Sequence, residues 1–162
     1  MAAANRESCI SLILQLEGGN TVTNDPNDPG GLTKYGISRR SYPNENIQAL
    51  SEDRARQIYQ RDYWDAVKGD NLRSGVDILV FDSAVNQGVA AAVRMLQVAA
   101  RTMPDGVIGS DTLAAAAQDG VFIRFAAQRA LRYCTTPNFQ KYGLGWMTRL
   151  FTVFKRAVEL NS

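Results

Sequence analysis

Apolar residues recur at helical spacing along most of this chain, and clusters of glycine, proline, asparagine and aspartate separate the helical segments. Strand patterns are scarce, and only residues 18–38 leave room for a short hairpin. Ser51 is expected to cap the second helix, because a serine at that position can accept a hydrogen bond from the first turn. The pattern predicts helices over residues 5–17, 52–66, 76–86 and 90–102, a short helix capped by Ser110 or Asp111 and ending at Ala117, and helices over Val121–Tyr133 and Phe139–Leu160, the last with interruptions near Gly143 and Gly145.

Composition limits the class of protein without defining it. The 162 residues suffice for one domain with a hydrophobic core. A net charge of +2 gives no indication of a nucleic-acid partner. No apolar run approaches the ~20 residues of a membrane span, so stable membrane insertion is not expected. The first residues lack the pattern of a secretory signal, and we expect synthesis in the cytoplasm. Cys9 and Cys134 form no CxxC pair; the sequence neither predicts nor excludes a disulfide between them, and two buried thiols are the favoured expectation.

The chain contains no histidine, which excludes several enzyme classes. A Ser-His-Asp triad, a Cys-His dyad and a zinc site with histidine ligands are all impossible. Two cysteines cannot form an all-cysteine zinc site either. If the protein is an enzyme, aspartate and glutamate are expected to carry the proton chemistry, with no metal and no cofactor.

Glu17 is the most informative residue of the chain. It occupies the fourth position of an apolar stripe that starts at Ile10 and includes Ile13 and Leu14, and Gly18-Gly19 follows as a helix stop. Partly buried surroundings and the negative end of the helix dipole both favour the neutral acid. A general acid needs this property, although a solvated glutamate at a helix end is the commoner case.

The loop after Glu17 supplies further candidate residues. Asp25 and Asp28 are possible second carboxylates, and the hydroxyl of Thr33 could hold a water molecule. Two carboxyl groups facing each other across a cleft are the minimum for hydrolysing a glycosidic bond. The loop does not fit an EF-hand, because Pro29 occupies the fifth ligand position and no acid stands at the twelfth.

Three aromatic residues near these carboxylates could stack on sugar rings. They are Tyr35, Tyr63 and Trp64. For Tyr63 and Trp64 a place in the core is the commoner outcome, because aromatic residues at helical spacing usually pack inward.

The motifs resemble glycoside hydrolase family 108, the N-acetylmuramidases found largely in phage and prophage lysis cassettes. The resemblance rests on Glu17-Gly18-Gly19, on Asp25-Pro26-x-Asp28-Pro29-Gly30-Gly31-x-Thr33-x-Tyr35-Gly36-Ile37, on Tyr63-Trp64-Asp65-Ala66 and on Val80-Phe81-Asp82-Ser83-Ala84-Val85-Asn86-Gln87-Gly88. The stretch Leu96-Gln97 with Asp105-Gly106-x-Ile108-Gly109-x-x-Thr112-Leu113 resembles the peptidoglycan-binding segment that follows in this family.

The resemblance implies a lysozyme-like, two-lobed, mainly α-helical domain with a small hairpin beside the catalytic glutamate. It implies that Glu17 is the catalytic acid, with Asp28 and Thr33 in the supporting roles, and that Asn86 and Gln87 belong to the substrate-binding residues. Asp25 stays an alternative to Asp28, because the run Gly18–Asn24 is slightly longer than in the family and Asn20 replaces an aromatic residue. Residues 1–88 are expected to form the catalytic region and residues 89–162 a helical peptidoglycan-binding-like lobe in the same globule.

The predicted function is therefore that of a phage-type endolysin. It would hydrolyse the bond between N-acetylmuramic acid and N-acetylglucosamine in bacterial peptidoglycan, act as a monomer, and reach the periplasm through a holin. One alternative is a lytic transglycosylase, which uses the same acid but forms 1,6-anhydro products. The other is a non-catalytic cell-wall-binding or structural protein.

Overall fold

The computed structural model describes residues 2–24 and 30–161. These residues form a mainly α-helical structure with one small sheet, as expected from the sequence. The α-helices are α1 (Ala2–Leu16), α2 (Glu52–Tyr59), α3 (Val76–Gln87), α4 (Val89–Ala100), α5 (Ser110–Ala116), α6 (Val121–Thr135) and α7 (Phe139–Asn161). A π-helical turn (Gln60–Trp64) continues α2, and a 3-10 helix spans Gly69–Asn71. In the described part of the chain, no helix combines the length and apolarity needed to cross a membrane.

The sheet has three short antiparallel strands in sequence order. They are β1 (Val22–Thr23), β2 (Thr33–Lys34) and β3 (Ile37–Ser38). Thr33 lies opposite Thr23 on one side and Ser38 on the other. The sequence predicted a short hairpin within residues 18–38 without assigning its strands, and it did not predict a third strand.

The chain divides into two compact units. The smaller consists of the described residues of Glu7–Asp62, and the larger of the described residues of Met1–Arg6 and Tyr63–Ser162. This division falls well before residue 88, where the functional boundary was expected. The assignment of separate roles to residues 1–88 and 89–162 stays a prediction.

In the smaller unit, the two helices follow from their apolar faces and from the predicted N-cap of α2. On α1, Ile10, Ile13 and Leu14 are buried, as their spacing predicted. Ser51 caps α2, where its side chain accepts a hydrogen bond from the N–H of Arg54 at 3.2 Å. The buried face of α2 includes Ile58, and the helix widens into the π-helical turn instead of continuing to residue 66.

Helix α3 lies at the centre of the larger unit. Every residue from Val76 to Ala84 is buried, and α3 packs against α4, α6 and α7. A helix that is enclosed on all sides requires apolar residues around its whole circumference. Its sequence meets this requirement except at Asp77, Asp82 and Ser83.

Two features of the later helices differ from the expectations. Helix α7 is continuous through Gly143 and Gly145, because Gly143 leaves space for a neighbouring ring: a Cβ atom there would lie 2.7 Å from Cε2 of Phe139. The cap of α5 is Gly109, while Ser110 is the first helical residue. Both differences arise from packing or backbone geometry that residue type alone does not reveal.

The expectation of two buried thiols was correct for one cysteine and wrong for the other. Cys9 is buried in α1, whereas Cys134 is exposed near the end of α6. Within the described residues, neither cysteine forms a disulfide. The exposure of Cys134 follows from its position on the solvent side of an amphipathic helix.

A buried group of charges joins three helices of the larger unit. The carboxylate of Asp82 on α3 pairs with Nη2 of Arg129 on α6 at 2.5 Å, and both side chains are completely buried. Arg149 on α7 donates to the other carboxylate oxygen from Nη2 at 2.7 Å and from Nε at 3.0 Å. Removing one member of such a group leaves an uncompensated charge in the interior.

We expect Asp82→Asn to destabilise the protein by about 3–5 kcal/mol, because the variant leaves Arg129 buried without its counter-charge. The matched control is Asp119→Asn, since Asp119 also pairs with an arginine, Arg73, at 2.9 Å, but its side chain is 97% exposed. That exposed pair is worth about 1 kcal/mol or less. Urea unfolding monitored by circular dichroism measures both losses, and similar losses in the two variants would contradict the argument.

Candidate active site

Glu17 directly follows α1, at the point where the chain turns away. Its N–H donates to the carbonyl of Ile13 at 2.9 Å. Gly18 then donates to Gln15 at 3.2 Å and Gly19 to Leu14 at 2.9 Å, the two bonds of a Schellman helix end. Gly18 has a φ of 91°, which the motif requires and glycine adopts without strain. The backbone therefore fixes the point from which the Glu17 side chain leaves the helix.

The hairpin of β2 and β3 turns through Tyr35 and Gly36. Both residues have positive φ angles, 54° and 73°, as in a type I′ turn. A tyrosine in this conformation is uncommon and must be held by its surroundings. Its N–H donates to the carbonyl of Gly19 at 3.1 Å, its hydroxyl donates to Oδ1 of Asn20 at 3.3 Å, and its carbonyl accepts from the hydroxyl of Tyr59 at 2.8 Å. The turn is thus bound directly to the chain segment that follows Glu17.

Gly36 lies against the side chain of Glu17. A Cβ atom at residue 36 would lie 2.8 Å from Oε2 and 2.8 Å from Cβ of Glu17, and 2.7 Å from the hydroxyl oxygen of Tyr59. No real Cβ atom could occupy this space without displacing one of these groups. The absence of a side chain at Gly36 therefore lets the carboxyl group of Glu17 and the hydroxyl of Tyr59 come close to the turn.

The resulting arrangement can present one carboxyl group in a fixed orientation. Glu17 is half-buried, so its carboxyl group is partly shielded from water yet still open to a ligand. Tyr59 is buried, and its hydroxyl is engaged by the carbonyl of Tyr35. A positioned, partly enclosed carboxyl group is suited to donate a proton to a leaving oxygen.

The candidates for the second carboxylate, Asp25 and Asp28, lie outside the described residues. Thr33 is described: it is half-buried on β2, and its hydroxyl donates to the carbonyl of Gly31 at 3.1 Å. This bond still leaves the hydroxyl oxygen able to accept a hydrogen bond from water. The roles predicted for these three residues stay predictions.

Two of the three aromatic residues do not occupy positions where they could stack on a sugar. Tyr35 is 6% exposed within the hairpin turn. Trp64 is completely buried, with its ring edge-on to Phe81 at a centroid distance of 5.3 Å and its indole N–H bonded to Asp70 at 2.8 Å. The stacking roles expected for these two residues are corrected accordingly. Tyr63 is half-buried, and its role stays a prediction.

Asn86 and Gln87, predicted to bind substrate, lie at the end of α3 in the larger unit. Oδ1 of Asn86 accepts a hydrogen bond from the hydroxyl of Tyr133, and Oε1 of Gln87 accepts from Ser83 at 3.0 Å. Burial raises the pKa of Tyr133, which keeps its hydroxyl a neutral hydrogen-bond donor at physiological pH. Asn86 is exposed and Gln87 half-buried, so both amides are accessible from solvent.

The segment that resembles a peptidoglycan-binding motif forms a closed polar turn. Nε2 of the buried Gln97 donates to Oδ1 of Asp105 at 2.6 Å and to the carbonyl of Val107 at 3.0 Å, while its Oε1 accepts from the N–H of Gly106 at 2.9 Å. Asp105 also accepts from the N–H of Val107 at 2.8 Å, and these bonds lower its pKa. Turn formation explains these residue types, and a binding role for the segment stays a prediction.

Sequence reasoning did not assign a role to Gly36 or Tyr59. A local signal for Gly36 was present: a residue followed by glycine, between two short segments that can form strands, is typical of a two-residue hairpin turn. Tyr59 lies on the buried face of α2. Its bond to a carbonyl 24 residues earlier could not be inferred from local pattern.

Comparison with known proteins identifies the family and the fold. The family model described as Glycosyl hydrolase 108 matches residues 10–88, a range that includes Glu17, Gly36 and Tyr59. A solved structure titled "Structure of Brucella abortus SagA" is similar over 98% of this chain and 97% of that chain, with 32% sequence identity and a TM-score of 0.87. No curated protein matches the sequence significantly.

The family match and the fold show a glycoside hydrolase with a lysozyme-like, mainly α-helical fold and a small three-stranded sheet. The chain belongs to glycosyl hydrolase family 108. The family resemblance noted in the sequence is thereby confirmed.

Proposed function

We propose that this protein is an N-acetylmuramidase that hydrolyses the bond between N-acetylmuramic acid and N-acetylglucosamine in peptidoglycan. The observation that carries the proposal is the half-buried carboxyl group of Glu17, placed against Gly36 at a Schellman helix end within the family-matched segment. Phage and prophage lysis cassettes are the usual setting of the motifs that this chain resembles, which supports an endolysin role in host lysis. Dependence on a holin and action as a monomer stay predictions.

In the proposed reaction, Glu17 donates its proton to the oxygen of the glycosidic bond as the bond to C1 of N-acetylmuramic acid breaks. N-acetylglucosamine then leaves with a free hydroxyl group. Asp25 or Asp28 stabilises the positive charge that develops on the sugar ring or activates a water molecule, and Thr33 helps to hold that water. Water supplies the hydroxyl group at C1, and its remaining proton restores the acid.

The products released from purified sacculi test the proposal. A muramidase releases muropeptides with a reducing N-acetylmuramic acid end, whereas a lytic transglycosylase releases 1,6-anhydro products that are lighter by one water molecule. We expect the hydrated products by mass spectrometry. Anhydro products would assign the protein to the transglycosylases. Binding to sacculi without soluble fragments would indicate a non-catalytic cell-wall-binding protein.

A further inference from the structure

The hydroxyl group of Tyr59 has a place in the smaller unit that apolar packing does not explain. Tyr59 is the last residue of α2, and the helix widens into the π-helical turn (Gln60–Trp64) directly after it. Such turns often occur at functional sites. The side chain is 2% exposed, so its hydroxyl lies inside the fold and needs hydrogen-bond partners. A phenylalanine would fill the same apolar face, and the hydroxyl therefore requires a separate explanation.

The direction of the hydrogen bond made by this hydroxyl is fixed by its partner. The oxygen of Tyr59 lies 2.8 Å from the carbonyl oxygen of Tyr35. A carbonyl oxygen can only accept, so Tyr59 donates its single proton there. A phenolic oxygen can also accept hydrogen bonds. Because its proton is engaged, the Tyr59 hydroxyl acts toward any further neighbour as an acceptor.

Tyr35 is held in turn by the segment that follows Glu17. Its N–H donates to the carbonyl of Gly19 at 3.1 Å, and its hydroxyl donates to Oδ1 of Asn20 at 3.3 Å. A continuous series of hydrogen bonds therefore leads from the end of the first helix through Tyr35 to Tyr59. The orientation of the Tyr59 hydroxyl is thus set by the same chain segment that directs the Glu17 side chain.

Tyr59 and Glu17 meet at Gly36. The three atoms nearest to the position of a Cβ at Gly36 all belong to these two residues. They are the hydroxyl oxygen of Tyr59 at 2.7 Å, and Cβ and Oε2 of Glu17, each at 2.8 Å. The two oxygen atoms border the same gap, and the residue between them has no side chain. Of the two forms of a carboxyl group, only the protonated form can donate to an oxygen that acts as an acceptor.

Charged side chains on the elements around Tyr59 make contacts of their own. These contacts are Arg56 with Glu52 at 2.6 Å and with Glu7 at 3.6 Å, Arg61 with Asp62 at 2.6 Å, and Lys34 over the ring of Tyr35, 5.6 Å from its centroid. Across Gly36, Oε2 of Glu17 faces the neutral hydroxyl of Tyr59. The neighbour that distinguishes the two forms of the carboxyl group at this gap is therefore an uncharged hydrogen-bond acceptor.

We propose that Tyr59 is a positioning residue for Glu17. Its hydroxyl oxygen accepts a hydrogen bond from the protonated carboxyl group and orients the acid for transfer of its proton to the glycosidic oxygen. Tyr59 keeps its own proton throughout. After the transfer, the hydroxyl can turn to the carboxylate only by releasing the carbonyl of Tyr35, so the return of a proton to Glu17 restores the better arrangement. The inference rests on the proposed function for the role of Glu17 as the acid.

Tyr59→Phe tests the inference, because it removes the acceptor and keeps the ring. We expect the rate of fragment release from sacculi to fall about tenfold near neutral pH, and the alkaline limb of its pH profile to move by about one unit to lower pH, as the loss of one hydrogen bond implies. Dividing by the wild-type rate at each pH removes the effect of ionisation of the sacculi. A rate that is lower by the same factor at every pH would show a merely structural role.

Tyr42→Phe is the matched control. Tyr42 also lies in the smaller unit, and its hydroxyl donates to Oδ2 of Asp62 at 2.9 Å. The same chemical change there should leave the rate of fragment release and its pH profile at the wild-type values.

Carbon-13 NMR of protein labelled at its glutamate carboxyl groups follows the titration of Glu17 without substrate, and Glu17→Gln assigns the signal. The titration midpoint should move to lower pH in Tyr59→Phe and stay unchanged in Tyr42→Phe. An unchanged midpoint in Tyr59→Phe, or equal shifts in both tyrosine variants, would overturn the inference. If sacculi are digested but the midpoint does not move, only the role of Tyr59 fails. If the midpoint moves but sacculi are not digested, the proposed hydrolysis fails and the hydrogen bond stands.

Discussion

Glu17→Gln is expected to reduce the release of soluble fragments from sacculi by about 10²–10⁴-fold, the usual contribution of a general acid. Glutamine has nearly the same shape as glutamate but no acidic proton to transfer to the leaving oxygen. The Schellman bonds at this helix end involve only backbone groups, so the substitution leaves them intact. The loss should therefore appear in the rate and not in the midpoint of thermal unfolding.

Glu52→Gln provides the matched control for this variant. Glu52 lies in the first turn of α2 and pairs with Arg56 at 2.6 Å on the surface. The same chemical change at that position should leave the rate of fragment release at the wild-type level and cost only a few tenths of a kcal/mol in stability. Turbidity loss by the Glu17 variant at the wild-type rate would refute the assignment of the acid.

Gly36→Ala is expected to lower the rate of fragment release by about 10²-fold without changing any catalytic group. The new Cβ atom would lie 2.8 Å from Oε2 of Glu17 and 2.7 Å from the hydroxyl oxygen of Tyr59, so the acid must move. A displacement of about 1 Å in a catalytic group can cost this much in rate. The positive φ of residue 36 adds a stability loss of about 1–2 kcal/mol.

Gly31→Ala is the control that separates the two effects of Gly36→Ala, the displacement of Glu17 and the backbone strain at a positive φ. Gly31 has a similar φ of 67°, but no atom of residues 2–24 or 30–161 lies within 4 Å of the position its Cβ would take. The control variant should therefore lose similar stability and retain most of its rate. Thermal unfolding and the rate of fragment release, measured on both variants, show which effect lowers the rate of the Gly36 variant. Equal losses of rate would show that strain in the loop, and not contact with Glu17, limits the Gly36 variant.

Local pattern was sufficient to predict most of the helices. Apolar spacing predicted the seven α-helices of the described residues, and Ser51 marked the start of α2, because helix faces and caps are encoded within a few residues. The widening of α2 into a π-helical turn and the unbroken course of α7 were not predicted. Both depend on how side chains such as Trp64 and Phe139 pack. The spacing of apolar residues along the chain carries no information about this packing.

The candidate site was predictable only in part, for a related reason. Glu17 stood out because a carboxylate in an apolar stripe, followed by two glycines, is a local anomaly. The contact of Gly36 with Glu17 and Tyr59 joins segments that lie up to 42 residues apart, and no local rule indicates it. Tyr35 and Trp64 were named as candidates for stacking on sugar rings, with packing in the core as the commoner expectation for Trp64, and both are buried. Residue type alone does not distinguish a binding role from a packing role.

The polar turn around Gln97 has a consequence for the dynamics of the larger unit. The segment between α4 and α5 lacks regular secondary structure and would ordinarily exchange its amide hydrogens as readily as any surface loop. Here the N–H groups of Gly106 and Val107 are bonded to Gln97 and Asp105, and Gln97 itself is anchored in the helical interior. Opening the segment requires a buried amide to leave the core, so its hydrogen exchange is tied to the unfolding of α4.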